Sequence, residues 1–591
     1  MIEPHEDGWR LAAPIDAVKV GVPESIRQLI ATHVDRLDVR DQRILEAASV
    51  AGMEFAVIAV SAALDDDPAD VEARCEELSR RHQFIRECGA QLLPNGQTVG
   101  RFGFVHAVYR HVLYDRISAS RRVQLHRRVG RRGEEVYGEH VTEIAAELAM
   151  HFEEAADYER ATRYLQQAAA NALHRSAYRE AIALSRRGLE LLATLPDTHE
   201  HAQQELRLRI TLGVPLIATE GYAAPEVGSV YVRARELCER LGTAAEVAQV
   251  LWGLWTFHTL KAELSSALGI ASESLRLAER AAYPGLAMRG HWAMEITSTH
   301  LGDFRQALEH FEKVVFLYDP DRPSDGLLID ALNPGVAVRC FAGWCLWFIG
   351  QPDRGLVRIQ EAVALARDLS EPHGLAHALV FAAVFHQLRR ERAMALRHAD
   401  AAMAVAAEHG LVFYGAMAQI ARGWALIGRG NDEHAAEEMR QGLAGWQRTG
   451  AQLMKPHFLA LLAEASAPTN PQEGLRVLDE ALALVQSTGE RMYEAEICRL
   501  RGERLLRGAR GRTDVEAAEA CFEQSLAIAR RQEALSLELR AAMSLARLRR
   551  GRAGRARARD VILPIYERFE EGFDTPDLSE ARGLLDLRAK R

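Results

Sequence analysis

Few residues in this chain are of a type and spacing that could do chemistry. Lysine is scarce: Lys19, Lys261, Lys313, Lys455 and Lys590 are the five, so arginine supplies the rest of the 73 basic residues. A Walker-type phosphate loop needs a lysine directly before Ser or Thr at the end of a glycine-rich turn, where its ammonium reaches the β- and γ-phosphates. The five lysines stand in Val18-Lys19-Val20, Leu260-Lys261-Ala262, Glu312-Lys313-Val314, Met454-Lys455-Pro456 and Ala589-Lys590-Arg591. None is such a loop, and none is the Val-Ala-Ile-Lys strand of a protein kinase. The 22 histidines include no His-Glu-x-x-His, and the pairs His106/His111 and His373/His377 lack a third ligand. No Gly-x-Ser-x-Gly presents a nucleophilic serine. The cysteines (75, 88, 238, 340, 345, 498 and 521) form no Cys-x-x-Cys and read as buried free thiols of a reducing compartment. The sequence therefore predicts a non-enzymatic chain with no catalytic, metal-binding or cofactor-binding residues.

Two residue types remain that bind rather than react. Arg116, Arg121, Arg122, Arg127, Arg128, Arg131 and Arg132 crowd the helix expected after Ser118. They form either a solvated face, with arginine stems over apolar neighbours, or a docking patch for an acidic partner. A second run, Arg547 to Arg559, has no interleaved aromatics and reads as a solvated turn rather than a nucleic-acid contact. The other type is tryptophan, of which Trp252, Trp292, Trp344, Trp347 and Trp424 recur in one region.

These residues must be positioned by helices. The 591 residues are 48% hydrophobic and 26% charged with a net charge of −9, the composition of a globular chain rather than a nucleic-acid coat. There is no basic-then-apolar leader, and the longest apolar run, Phe55 to Leu64, is too short to span a bilayer. A cytoplasmic protein without membrane contact is expected. From about Asn171 onward a triplet recurs: a small residue, a larger one four later, and a small or apolar one three after that. Examples are Ala267/Ala271/Ser274, Ala307/Phe311/Val314, Gly355/Ile359/Ala362, Ala435/Met439/Gly442 and Ala518/Phe522/Ser525. Its first positions are 181, 227, 267, 307, 355, 395, 435, 474, 518 and 558, a period near 40. Five residues earlier stand Gly302, Gly350 and Gly430, helix-stop signals before the next helix. Each repeat is thus two helices joined by a tight turn, and the small residue lets them approach. A hairpin cannot bury both its apolar faces alone, so stacking is obligatory.

Residues 22–137 break the period. Asp67-Pro68 caps and opens a helix running to about His82. Phe84-Ile85-Arg86, the Pro94-Asn95-Gly96 turn and Val99 to Val105 predict a β-hairpin. Helices followed by a hairpin is the order of a winged helix. Asp65, Asp66, Asp67, Asp70 and Glu72 at the start of the helix would meet a polyanion, so no specific DNA binding is expected.

The repeats resemble the tetratricopeptide repeat, with Gly-Asp/Asn-Tyr/Phe-x-x-Ala at the turn, although that family's period is shorter. Val22 to Ile30, Asp41 to Gly52, and Phe104-Val105-His106 to Tyr114 resemble the winged-helix segment that follows the ATPase core in bacterial multidomain signal-transduction ATPases. Such proteins often carry a class III adenylate or guanylate cyclase, and a tetratricopeptide tail. The resemblance implies an all-α superhelical solenoid of about ten hairpins over 138–591, a winged helix with one β-hairpin over 22–137, and a remnant or linker over 1–21. It further implies a non-catalytic sensor or interaction scaffold. In the tetratricopeptide family the positions of Trp252, Trp292, Trp344, Trp347 and Trp424 line the concave groove, so these indoles either grip a peptide or small effector there or, if the longer repeats shift the register, belong to the core. The expected partners are that peptide or protein and an ATPase or cyclase domain in cis or trans. Two alternatives are the regulatory tail of an enzyme whose catalytic part lies upstream, and a winged-helix transcriptional regulator.

Overall fold

The computed structural model describes residues 2–5, 8–11, 24–81, 84–175, 177–318, 332–430, 432–465, 471–509, 511–553 and 555–585, with 2–5, 8–11, 471, 550–553 and 555–558 in backbone only. It divides into two compact units, Met1–Leu208 and Arg209–Arg591.

In the first unit, β1 (Ile2–His5) and β2 (Gly8–Leu11) pair antiparallel where a linker was expected; most of 1–21 lies outside the described residues. Helices α1 (Glu24–Asp35) and α2 (Val39–Ala51) precede β3 (Glu54–Ala56), α3 (Val57–Leu64) and α4 (Pro68–Arg80). Asp67 caps α4 by accepting the Ala69 amide, with Pro68 in the first turn. The expected hairpin is β4 (Ile85–Leu92) with β5 (Thr98–Phe104). A third strand, β3, pairs with the far edge of β5, and three residues were too few to reveal an alternating pattern. Phe55, Phe84, Phe102 and Phe104 of this sheet bury against Ile44, Leu45, Val71 and Leu113. Helices α5 (Ala107–Arg116), α6 (Ala119–Tyr137), α7 (Ala145–Glu154), α8 (Tyr158–His174) and α9 (Tyr178–Leu192) complete the unit. Packing runs on through residues 137 and 138: the Phe152 ring lies on Gly130, and Leu148 on Gly133.

After α10 (His199–Glu220), the second unit is helical throughout its described residues. Its helices are α11 (Pro225–Leu241), α12 (Ala244–Leu260), α13 (Leu264–Ala281), α14 (Pro284–Leu301), α15 (Phe304–Leu317), α16 (Pro334–Phe348) and α17 (Pro352–Asp368). Then come α18 (Pro372–Leu388), α19 (Arg392–His409), α20 (Val412–Leu426), α21 (Asp432–Arg448), α22 (Lys455–Ala465) and α23 (Pro471–Thr488). Last are α24 (Glu494–Arg507), α25 (Arg512–Arg531), α26 (Leu535–Ala553), α27 (Arg555–Tyr566) and α28 (Pro576–Leu584). The chain is an all-α, tetratricopeptide-like helical-repeat solenoid. All ten small positions fall on the second helix of a pair, the odd-numbered helices from α9 to α27. There they do what their size allows. A Cβ on Gly355, the small position of α17, would lie 2.7 Å from the Gly343 carbonyl oxygen of α16; opposite the larger triplet residues, one on Gly343 would lie 2.7 Å from Ile359, and one on Gly502 of α24 would lie 2.7 Å from Phe522 of α25. Larger residues at those glycines would force the hairpins apart.

The turns follow one geometry. Gly302 (φ 87°), Gly350 (φ 90°) and Gly430 (φ 98°) are left-handed, and so are Ala262 (φ 57°) and Arg390 (φ 62°) at the same place in their repeats. Asn431, which follows Gly430, lies outside the described residues. From α12 to α26, successive first helices pack on one another along the inner side, while the second helices stand outside. The inner helices then meet segments much further along the chain. The carbonyl of Leu260 accepts the Gln452 amide at 2.7 Å, and that of His300 accepts the Arg491 amide at 2.8 Å. The carbonyl of Trp347 accepts the Ser536 hydroxyl at 2.6 Å, and that of Leu388 accepts Arg540 Nη2. These carbonyls close α12, α14, α16 and α18, where a helix leaves its acceptors without internal partners. The solenoid thus winds back on itself, and later turns cap the helix ends of earlier ones.

Candidate functional site: an arginine-lined cavity

Four of the five indoles expected in the groove are core. Trp292, Trp344, Trp347 and Trp424 are 2%, 0%, 3% and 2% exposed. Trp344 stacks on Phe381 of the next first helix at 4.4 Å and donates Nε1–H to the Phe381 carbonyl at 3.1 Å. Trp292 lies 4.4 Å from the half-buried Trp252, over which Arg289 sits. Trp347 lies beneath the Arg540 guanidinium. The expectation of an open aromatic wall is corrected at these positions: successive first helices are so close that the indoles fill the space between them. Trp424 alone of the five also reaches a cavity of substantial volume.

That cavity, of about 590 Å³, opens among the inner helices. The first helices supply it because they turn one face inward. On α24, Glu496, Leu500, Glu503, Arg504 and Arg507 recur at helical spacing and all line it. Gln387 and Arg390 come from the end of α18, Arg392 from the start of α19, Trp424 from α20, Glu464 from α22 and Arg540 from α26.

One side of the cavity is electrostatically closed. Arg499 holds Glu496 at 2.8 Å and also pairs with Glu503. Arg540 bridges Asp577 at 2.8 Å and Glu496 at 3.4 Å. Arg390 reaches Asp577 at 3.1 Å and Glu580 at 3.0 Å, and Arg547 also pairs with Glu580. Burial opposes ionisation of Glu496, but Arg499 and Arg540 outweigh it and pull its carboxyl down to about 2.

The other side is not closed. Arg504 is 4% exposed. Its Nη2 donates to the Glu464 carbonyl at 3.3 Å, while Nη1 has no hydrogen-bond partner. Burial, reinforced by neighbouring Arg507, brings its guanidinium down to about 10. Arg392 is also lowered by burial, which Glu464 and Asp432 offset only in part; it lies 4.6 Å over the Trp424 ring and donates to the Trp424 carbonyl. Glu464 is a weak counter-charge. Burial, and then Glu496, raise its carboxyl, which accepts Trp424 Nε1–H at 3.2 Å. Asp432 already accepts the Gly428 amide.

The arginines singled out on α6 are largely engaged within their own unit. Arg121 pairs with Glu46 at 3.3 Å and Arg132 with Glu135 at 2.9 Å. Arg127 donates to the Ala155 carbonyl, Arg128 to the Ala63 carbonyl, and Arg122 lies over the Tyr114 ring. Arg131 is exposed. In the run Arg547 to Arg559, the side chains of 550–558 lie outside the described residues. Among the described residues, no group of three or more His, Cys, Asp or Glu is placed to hold a metal. His106 instead caps α5, and His377 is buried against Phe381 at 4.0 Å. All seven cysteines are free thiols, six of them buried. No described helix is long and apolar enough to cross a membrane.

Fold and cavity define a helical-repeat solenoid with a charged internal site. No family model matches the chain. An uncharacterized protein of Rhizobium meliloti (strain 1021) is 24% identical over 565 residues, covering 93% of this chain and 52% of that protein. The chain therefore spans about half the length of the curated relative it matches. Among solved structures, a Rap protein complexed with Competence and Sporulation Factor is 12% identical with a TM-score of 0.47, covering 63% of this chain and 98% of that one. A Signal Transduction ATPase with Numerous Domains from Pyrococcus horikoshii, with a tetratricopeptide repeat sensor, is 10% identical with a TM-score of 0.34, covering 87% and 66%.

Proposed function

We propose that this chain is a non-catalytic sensor and interaction scaffold whose ligand surface is the inner face of the later repeats. The observation that supports it is the arginine-lined cavity, where Trp424, Arg392 and Arg504 converge from three different repeats. A site built from several repeats suits a sensor, because small shifts between neighbouring hairpins add along a solenoid. In this reading the chain works in the cytoplasm as the sensing part of a signal-transduction ATPase or nucleotidyl cyclase system. Residues 22–137 form a winged helix: α2, β3, α3, α4 and the β4–β5 hairpin follow one another in that order. The acidic start of α4, where Asp70 pairs with Arg40 at 3.1 Å, favours packing over DNA reading. Exposed Arg131 leaves α6 a modest docking surface for the ATPase or cyclase domain.

The test is a thermal-shift screen of the purified chain against peptides and small metabolites, repeated on Arg392→Gln and Trp424→Phe. A ligand that binds only the folded state raises Tm by mass action. The expected result is at least one ligand whose shift is lost in both variants. Ligands whose shifts all survive both substitutions would place the functional surface elsewhere.

A further inference from the structure

The cavity's unmatched charge says what kind of ligand it takes. We infer that it binds a small-molecule anion through a phosphate or carboxylate group, held by Arg504 and Arg392 with Arg507 at the mouth. This rests on the inner face being the ligand surface.

Arg504 has an unmet hydrogen-bond donor. Its guanidinium is buried on the cavity wall, and Nη1 finds no acceptor. A buried N–H without a partner is destabilising, more so when charged, and few native structures leave such a group unused. Around it the balance is positive. Arg392, Arg504 and Arg507 face Glu464, Asp432 and Glu503, and all three carboxylates are compromised, Glu503 by its ion pair with Arg499. Glu464 is raised toward its neutral form by burial and by Glu496, and Asp432 is engaged with the Gly428 amide. Across the cavity, Arg499, Arg540 and Arg390 are held by Glu496, Asp577 and Glu580, so those carboxylates are committed elsewhere.

Guanidinium forks match phosphate and carboxylate oxygens bidentately. An incoming oxyanion would satisfy Arg504 Nη1 and supply the counter-charge that the buried Arg504 and Arg392 lack. At about 590 Å³ the space falls within the ~300–1,000 Å³ of small-molecule sites. It therefore has room for a body behind the charged group.

The experiment is a thermal-shift titration of the full chain with inorganic phosphate and, in a second arm, succinate, each against sodium chloride of equal ionic strength. Arg504→Met removes the buried charge. Arg507→Ala is exposed and serves if Arg504→Met fails to fold, and Arg512→Ala is the surface control. We expect one of the two anions to raise Tm beyond the salt control, and the arm that does so identifies the group. The shift should fall at least twofold in Arg504→Met or Arg507→Ala and persist in Arg512→Ala. No shift beyond sodium chloride in either arm, or an equal shift in all variants, overturns the inference. If both anions are silent while an uncharged ligand still loses binding in Arg392→Gln, the anion inference falls and the inner-face reading stands. If every ligand found ignores Arg392→Gln and Trp424→Phe, both fall.

Discussion

The carbonyl of His300, near the end of α14, accepts the amide of Arg491 at 2.8 Å and that of Met492 at 3.1 Å. Neighbouring first helices repeat the relationship at Leu260, Trp347 and Leu388. A simple solenoid has interactions between adjacent repeats only; this one adds a second, long-range set. The cavity exists because of that closure, since α18 and α26 flank it only after the chain has wound round.

The closure should be measurable one bond at a time. Ser536→Ala removes the hydroxyl that the buried Trp347 carbonyl accepts from. We predict a loss of about 1 kcal/mol in denaturant unfolding. Amide exchange should also rise at the end of α16, although the substitution is on α26.

Trp344 is fully buried, stacked on Phe381 and hydrogen-bonded to its carbonyl. Trp344→Ala should cost about 3–5 kcal/mol of stability through the void it leaves. A groove-lining indole would cost far less, so equilibrium unfolding of this variant separates the two roles.

Glu295 is fully buried on α14, and neither carboxylate oxygen has a partner. Burial raises its carboxyl well above the usual 4.5, so the folded chain holds this proton to higher pH than the unfolded chain does. Its stabilising contribution is present below pH 4.5 and is lost as pH rises toward the folded value. Glu295→Gln should therefore gain stability over the native chain progressively between pH 5 and pH 8. His377 and His457, both depressed to about 3 by burial, act oppositely: they cost stability as pH falls from 6.5 toward 3. They are common to both proteins and cancel in the difference. A stability difference that stays flat with pH would show that Glu295 is ionised.

Ala262 pays for a left-handed turn that glycine adopts freely. Ala262→Gly should be neutral or stabilising by up to about 1 kcal/mol. Gly350→Ala should destabilise by more than that, because its new Cβ would also lie 2.6 Å from Leu535 Cδ2. Thermal melts of the pair check the sign.

These residues also mark what was legible. The small positions and Gly302, Gly350 and Gly430 were readable because close helix contact and positive φ both restrict residue type. Ala262 and Arg390 were not, because there the hairpin imposes the conformation on residues that do not advertise it. The five indoles could be placed on first helices but not oriented, since the tightness of winding decides whether an inner residue faces solvent or the next helix. Arg504 sits in Arg499-Leu500-Arg501-Gly502-Glu503-Arg504, which reads as an ordinary charged helix face. Its burial depends on α22, α23 and α26 packing on α24, a juxtaposition that no local pattern encodes.

Amide hydrogen exchange of the full chain, with and without saturating inorganic phosphate at constant ionic strength, tests the central claim most directly. Slower exchange is expected in peptides covering the start of α19, the ends of α20 and α22 and residues 496–507 of α24, with the other second helices unchanged. Exchange that is unaltered there, or protection confined to the second helices, would contradict it.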